Sequence, residues 1–268
     1  MLLALMSAAA CAAPAPQAPA PPVIDPSDEA RALRLPFDAY KRTEADIERA
    51  ERAVDVLTSG CLQQKGYDRA PLPAIPVVEA PNRRRYGVVE PVVAEQAGYR
   101  APYTTAEKER ERADRARGGP RTRTEQSAAN ACIQQSTARV YVTAADSPLL
   151  TRLEREIFEQ TRTKDARVRS AFEAWRSCLR ARGHKDYPDP LAAAADERWQ
   201  DPSTAQTETA TAVADVACKK QTDLVTIWSG AERKLQTAAL KEHATEFTAI
   251  RQALERERTE AARIVQDA

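Results

Sequence analysis

Four cysteines in a repeated frame constrain this chain more than any other feature. Cys61-Leu62 is followed by Gly66 and Pro71, and Cys178-Leu179 by Gly183 and Pro188, at the same offsets of five and ten residues from each cysteine. Downstream, Ala128, Ala131, Cys132 and Gln135 are echoed by Ala214, Ala217, Cys218 and Gln221. Matched positions in the same order mark a duplicated unit: a helix ending Cys-Leu-x-x-x-Gly, a variable loop, then a helix carrying Ala-x-x-Ala-Cys-x-x-Gln. In each unit one cysteine closes a helix and the other sits about two turns inside the next. The natural pairing is therefore Cys61 with Cys132 and Cys178 with Cys218, out of the three connectivities that four cysteines allow. Each bridge stabilises the fold by about 4 kcal/mol on the chain-entropy account.

The staples matter because the core is thin. The chain has 268 residues, 43% of them hydrophobic, but 52 are alanine and only 5% are aromatic. Alanine favours helix and contributes little buried area. The expected fold class is all-α: elongated helical hairpins from a duplicated unit, with a long C-terminal helix and a partly irregular insert. Unit one spans 38–145 and unit two 146–268.

Unit one opens with a helix from Asp38, read as its N-cap, to Lys65, with Ile47, Val54, Leu57 and Cys61 on one face and Gly66 as the left-handed stop. In unit two, Ser147-Pro148 starts a helix whose apolar face runs Leu150, Leu153, Ile157, Val168, Phe172, Trp175, Leu179 up to Gly183. The second arms begin with capping spellings, Thr122 with Glu125 and Ser203 with Gln206. From Thr204 to about Val265 the register suggests one bent helix or two abutting ones, with Gly230 as the place for a bend. The unit-one insert holds Val77-Val78 and Val88-Val89 as short edge pieces or extended coil, then a charged helix from Thr105 to Arg117 whose only apolar residues are alanines.

At the N-terminus, Leu2 to Ala10 is a short apolar run followed by Cys11. It reads as an export signal over 1–10 with Cys11 as the lipidated residue, although the lipobox is imperfect and a basic n-region is missing. Plain secretion, with cleavage after Ala10, Ala13 or Ala15, is the other reading. Removing Cys11 to a lipid leaves an even four cysteines for an oxidising compartment. Residues 11–37, rich in Ala and Pro, read as a semi-rigid membrane tether.

No P-loop, dinucleotide fingerprint, G-x-S-x-G, H-E-x-x-H or EF-hand loop occurs, and neither a catalytic set nor a metal site nor a cofactor is expected. A formal net charge of +1 argues against nucleic-acid binding. Three features have both functional and structural readings. His184 fits a polar helix cap better than a general base. Arg83, Arg84, Arg85 and Tyr86, with Tyr99, fit either an anion-gripping surface or a solvated turn with Tyr86 tucked inward. Trp175, Trp199 and Trp228 fit core packing against the Cys178 and Cys218 bridge better than a ligand cage.

With RRRYGV, AGY, CLRARGH and ADVACKKQTDLV in view, the chain resembles a group of uncharacterised actinobacterial secreted proteins and lipoproteins. The resemblance covers most of the mature chain and implies an extracytoplasmic, Gram-positive setting with no known catalytic residues. The expectation is a non-catalytic envelope module on the outer face of the cell membrane, an accessory to a transporter or to cell-wall assembly. The alternative is a small-molecule or cell-wall-fragment binder using the 83–99 insert, with Arg84, Arg85, Tyr86 and Tyr99 as contacts.

Overall fold

A computed structural model describes residues 20–120 and 122–267. Regular structure among them is helical, apart from a single parallel bridge between Val23 and Tyr103. The expected signal and Cys11 lie outside the described residues. The helices are α1 (Asp28–Ala32), α2 (Glu44–Gln64), α3 (Pro91–Ala97), α4 (Thr105–Arg117), α5 (Arg123–Val140), α6 (Pro148–Lys164), α7 (Ala166–Ala181), α8 (Pro190–Ala194), α9 (Ala205–Gln221), α10 (Leu224–Glu242) and α11 (Ala244–Gln266).

Capping chemistry sets the boundaries, and it corrects four expectations. Helix α2 starts at Thr43, not Asp38, because Thr43 and Asp46 form a reciprocal capping box that satisfies two backbone N–H groups at once. Asp38 lies instead in a short 3-10 turn, where its carboxylate accepts from the Leu35 N–H and from Asn82 Nδ2, both at 2.7 Å. The long face expected up to Gly183 is cut into α6 and α7 at Asp165, whose side chain caps the Arg167 and Val168 amides. Ser203 does not cap α9; it sits in a 3-10 turn capped by Asp201. Gly230 makes no bend and lies inside α10. The C-terminal run breaks at Asp223, which takes the left-handed conformation at φ 52° that Asp tolerates, and again at His243.

Both bridges pair as the repeat predicts, Cys61 with Cys132 and Cys178 with Cys218, with Cα separations of 5.8 and 5.7 Å. The core is divided into four clusters. The largest joins the insert (Tyr86, Val88, Val93, Tyr99) to α7, α9 and α10. A second gathers Phe37, Leu150, Ile157 and Phe247. The third, between α2, α5 and α11, is built on Ala50, Ala53 and Ala261. Here the expected face of α2 is corrected: Ile47 is exposed and Val54 and Leu57 are half-buried, because close approach of helices on both sides selects the alanine stripe. The fourth holds only Leu62, Ala129 and Cys132 with partly buried neighbours, so the Cys61–Cys132 bridge stands where apolar burial is least.

The two units are interleaved. Helix α11 of unit two packs along α2 of unit one, and α3 of the unit-one insert packs on α9. The tether is shorter than 11–37, because the Ile24 N–H bonds the Tyr103 carbonyl at 2.8 Å and Leu35 and Phe37 are buried.

Residues 67–80 form no strand, and neither does Val88-Val89. Carboxylates of α2 take the place of a strand partner for the first of these segments. Asp55 accepts from the Leu72 N–H at 2.6 Å, Glu48 from Ile75 at 3.0 Å and Glu44 from Ala80 at 3.4 Å. In return Glu79 accepts from the first amides of α2, Glu44 and Ala45. Two carboxylates therefore meet at one helix start. Burial, with a hydrogen bond donated to Glu79, pushes the Glu44 carboxyl up to about 7, while its partner Glu79 is lowered by bonds from Glu44 and the Ala45 amide that outweigh burial. A raised acid stabilises the fold fully below its unfolded value and loses that contribution as pH rises through the folded value, here between about 4.5 and about 7. Glu44→Gln, which keeps the neutral form, should raise the urea midpoint relative to wild type above neutral pH and leave it unchanged in mild acid.

Candidate functional site

The most perturbed polar centre lies where the insert meets α9. Glu208, Asp215 and Lys219 fall on one stripe of that helix, at spacings of seven and four, and all three are buried. Lys219, 2% exposed, donates from Nζ to Asp215 Oδ2 at 2.9 Å and to the Val88 carbonyl at 2.7 Å. Asp215, fully buried, accepts at Oδ1 from Trp175 Nε1 at 2.9 Å. Burial pushes Asp215 up and Lys219 down, each toward its neutral form, while their mutual attraction opposes both shifts. Burial also pushes up the Tyr99 hydroxyl beside Asp215, and this hydroxyl has no hydrogen-bond partner of normal geometry. Glu208 accepts from the Tyr99 N–H at 2.9 Å.

Two glycines allow this approach. Gly87 at φ 77° and Gly98 at φ 62° use backbone conformations that side chains rarely adopt. A Cβ on Gly98 would lie 2.7 Å from Glu208 Oε1, and one on Gly87 would lie 3.0 Å from Lys219 Nζ. Gly98→Ala should therefore cost more than about 1 kcal/mol in denaturant unfolding.

The arginine run is internal bracing. Arg83 donates to Glu90 at 2.6 Å, and Arg84 to the Tyr99 carbonyl at 2.5 Å. Arg85 donates to Glu232 at 2.6 Å and to Glu154 at 2.7 Å. Lys41 joins the same Glu154 at 2.5 Å, making a chain of four charges between the 3-10 turn, the insert, α6 and α10. Tyr86 is fully buried, with its ring centroid 5.0 Å from that of Trp228. Tyr86 is tucked inward as expected, but the turn is not solvated: Arg84 and Arg85 are occupied by partners within the fold, and the rings of Tyr86 and Tyr99 pack against Trp228 and Trp199. A run of three arginines looks like a surface when its acidic partners stand 7 to 147 residues away.

The tryptophans do not stack on one another. Trp175 and Trp228 belong to the same core cluster as Cys178 and Cys218, and Trp199 packs against that cluster with its ring 5.9 Å from Tyr99. His184 extends the cap of α7, its amide bonding the Leu179 carbonyl at 3.1 Å and its Nδ1 lying 3.2 Å from Thr211 Oγ1. Burial, then the Arg182 charge, lower its pKa, so the ring is neutral at neutral pH.

Asp215, Lys219, Glu208 and Glu232 are missing from the sequence reading. The signal available was a charged pair four residues apart within the alanine and valine run ADVACK. Among the described residues no group of three or more His, Cys, Asp or Glu side chains is placed to hold a metal, and no helix is long and apolar enough to cross a membrane. No family model, curated protein or solved structure matches the chain. The two disulfides point to an oxidising, extracytoplasmic environment.

Proposed function

We propose that this chain is a non-catalytic interaction module of the cell envelope, held at the outer face of the membrane through a lipid on Cys11. One observation carries the reading. The buried charges of the interior, Asp215 with Lys219 and Arg85 with Glu232, are tied to each other as braces, while α4 and the outer side of α11 turn charged and polar faces to solvent. Helix α4 buries none of its residues, and Gln252, Glu255, Arg256 and Thr259 form an exposed strip on α11. Such faces suit a polar, reversible contact with another envelope component. The duplicated, stapled frame gives that strip a rigid base.

A photo-crosslinking amino acid placed at Gln252 or Arg256 should, in intact native cells, give a covalent adduct with an envelope protein or wall polymer. The same residue at exposed Arg169 on α7 should give none. Absence of any adduct from α11 overturns the interaction reading. Mass spectrometry of the mature N-terminus tests the anchor separately: a diacylglyceryl-modified Cys11 is expected, and an unmodified or removed Cys11 ends the anchor claim.

A further inference from the structure

A solvent-facing cleft separate from the α9 centre lies under the α4 arm. Its walls come from α2, the 69–73 loop, α4 and α5, and it encloses about 470 Å³. Its acids already have partners. Glu48 accepts from the Ile75 amide, Glu51 pairs with Arg110 at 3.0 Å, Asp55 takes the Leu72 amide and Arg117, and Asp114 pairs with Arg117 at 2.8 Å. Arg52 donates to the Leu72 carbonyl. What remains on the walls is donor capacity. Among the described residues lining the cleft, Arg69 is the one cation with no acid or carbonyl partner, and its Nε is buried. The Thr58 hydroxyl, on a side chain 2% exposed, also has no partner. Beside these donors stand Val54, Leu72 and the ring of Tyr141, and Ile133 is 43% exposed there.

Unmet donors next to uncovered apolar surface define a ligand by its chemistry, since a buried donor left without an acceptor is costly and a carboxylate relieves it. We propose that this cleft binds a small carboxylate on an apolar body, the carboxylate on Arg69 and Thr58 and the body against Ile133 and Tyr141. The arm forms one wall, held by the Arg110–Glu51 and Arg117–Asp55 pairs. This site is independent of the α11 face.

The test uses the full chain with two carboxylate probes, decanoate and N-acetyl-leucyl-leucine, and their uncharged counterparts, decanol and the dipeptide amide. At least one acid should raise the melting midpoint saturably and shift the Ile133 methyl resonances, and its uncharged counterpart should do neither. Decanoate binding assigns the site to free acids, and dipeptide binding to peptide C-termini. Arg69→Gln should weaken the acid about tenfold or more. Because Arg69 has no partner in the fold, the unliganded midpoint should stay unchanged; Thr58→Val should weaken the same acid as a second check. No saturable response to either acid, equal response to the uncharged probe, or full binding by Arg69→Gln overturns the proposal.

Discussion

Lys219→Met should destabilise the protein by about 3 to 5 kcal/mol, because it leaves the Asp215 carboxylate buried with no countercharge. It also removes the donor to the Val88 carbonyl, one of the bonds that tie the insert to α9. The loss should depend on pH in a defined direction. With the lysine gone, Asp215 takes a proton more readily, so the penalty relative to wild type shrinks as pH falls and is largest at neutral pH and above. Asp215→Asn with Lys219→Met should cost less than the sum of the single changes, since Asn keeps an acceptor for Trp175 Nε1 and no charge remains unpaired. Denaturant unfolding of the four proteins closes the cycle. A Lys219→Met loss under about 1 kcal/mol, or strict additivity, contradicts the role given to the pair as a lock between insert and α9.

Removing the Cys61–Cys132 bridge should be comparably severe. Its sequence separation of 71 corresponds to about 4 kcal/mol of chain entropy, or a fall in melting midpoint of about 10 °C for a chain of this size. Its surroundings offer little to offset the loss, because the neighbouring cluster is built on Leu62, Ala129 and the cysteine itself. Cys61→Ser with Cys132→Ser should therefore lose hydrogen-exchange protection first at the end of α2 and the middle of α5. The Cys178–Cys218 bridge closes the shorter separation of 40 and lies in the largest cluster, so Cys178→Ser with Cys218→Ser should lower protection across α7, α9, α10 and the insert together. Identical exchange patterns from the two variants would contradict this division of the core.

The staples and helix ends were legible because their causes are local. The Cys-Leu-x-x-x-Gly spelling, the left-handed stops at Gly66 and Gly183 and the Ser147-Pro148 start each act within one turn. The charged helix Thr105–Arg117 was legible to the residue, since Thr104 and Glu107 cap one end and Gly118 stops the other. Sequence was misleading where distant residues decide. Ile47 and Val54 read as a core face until α5 and α11 are seen to close on Ala50 and Ala53. Arg83, Arg84 and Arg85 read as a surface until Glu90, Glu154, Glu232 and the Tyr99 carbonyl are in place. Asp223 broke the last helical run where a glycine seven residues later was expected to, because an Asp in the left-handed region leaves no periodic trace. The cleft at Arg69 was invisible for the same reason, since its walls come from four separate stretches.

The account rests most heavily on the stapled frame itself. Non-reducing peptide mapping of the native protein, after thiols are blocked with an alkylating agent at harvest, tests it directly. The account predicts linked peptides for Cys61 with Cys132 and for Cys178 with Cys218 and no alkylation of these four residues. Alkylated Cys61, Cys132, Cys178 or Cys218, or a peptide joining a cysteine of one unit to a cysteine of the other, would contradict it.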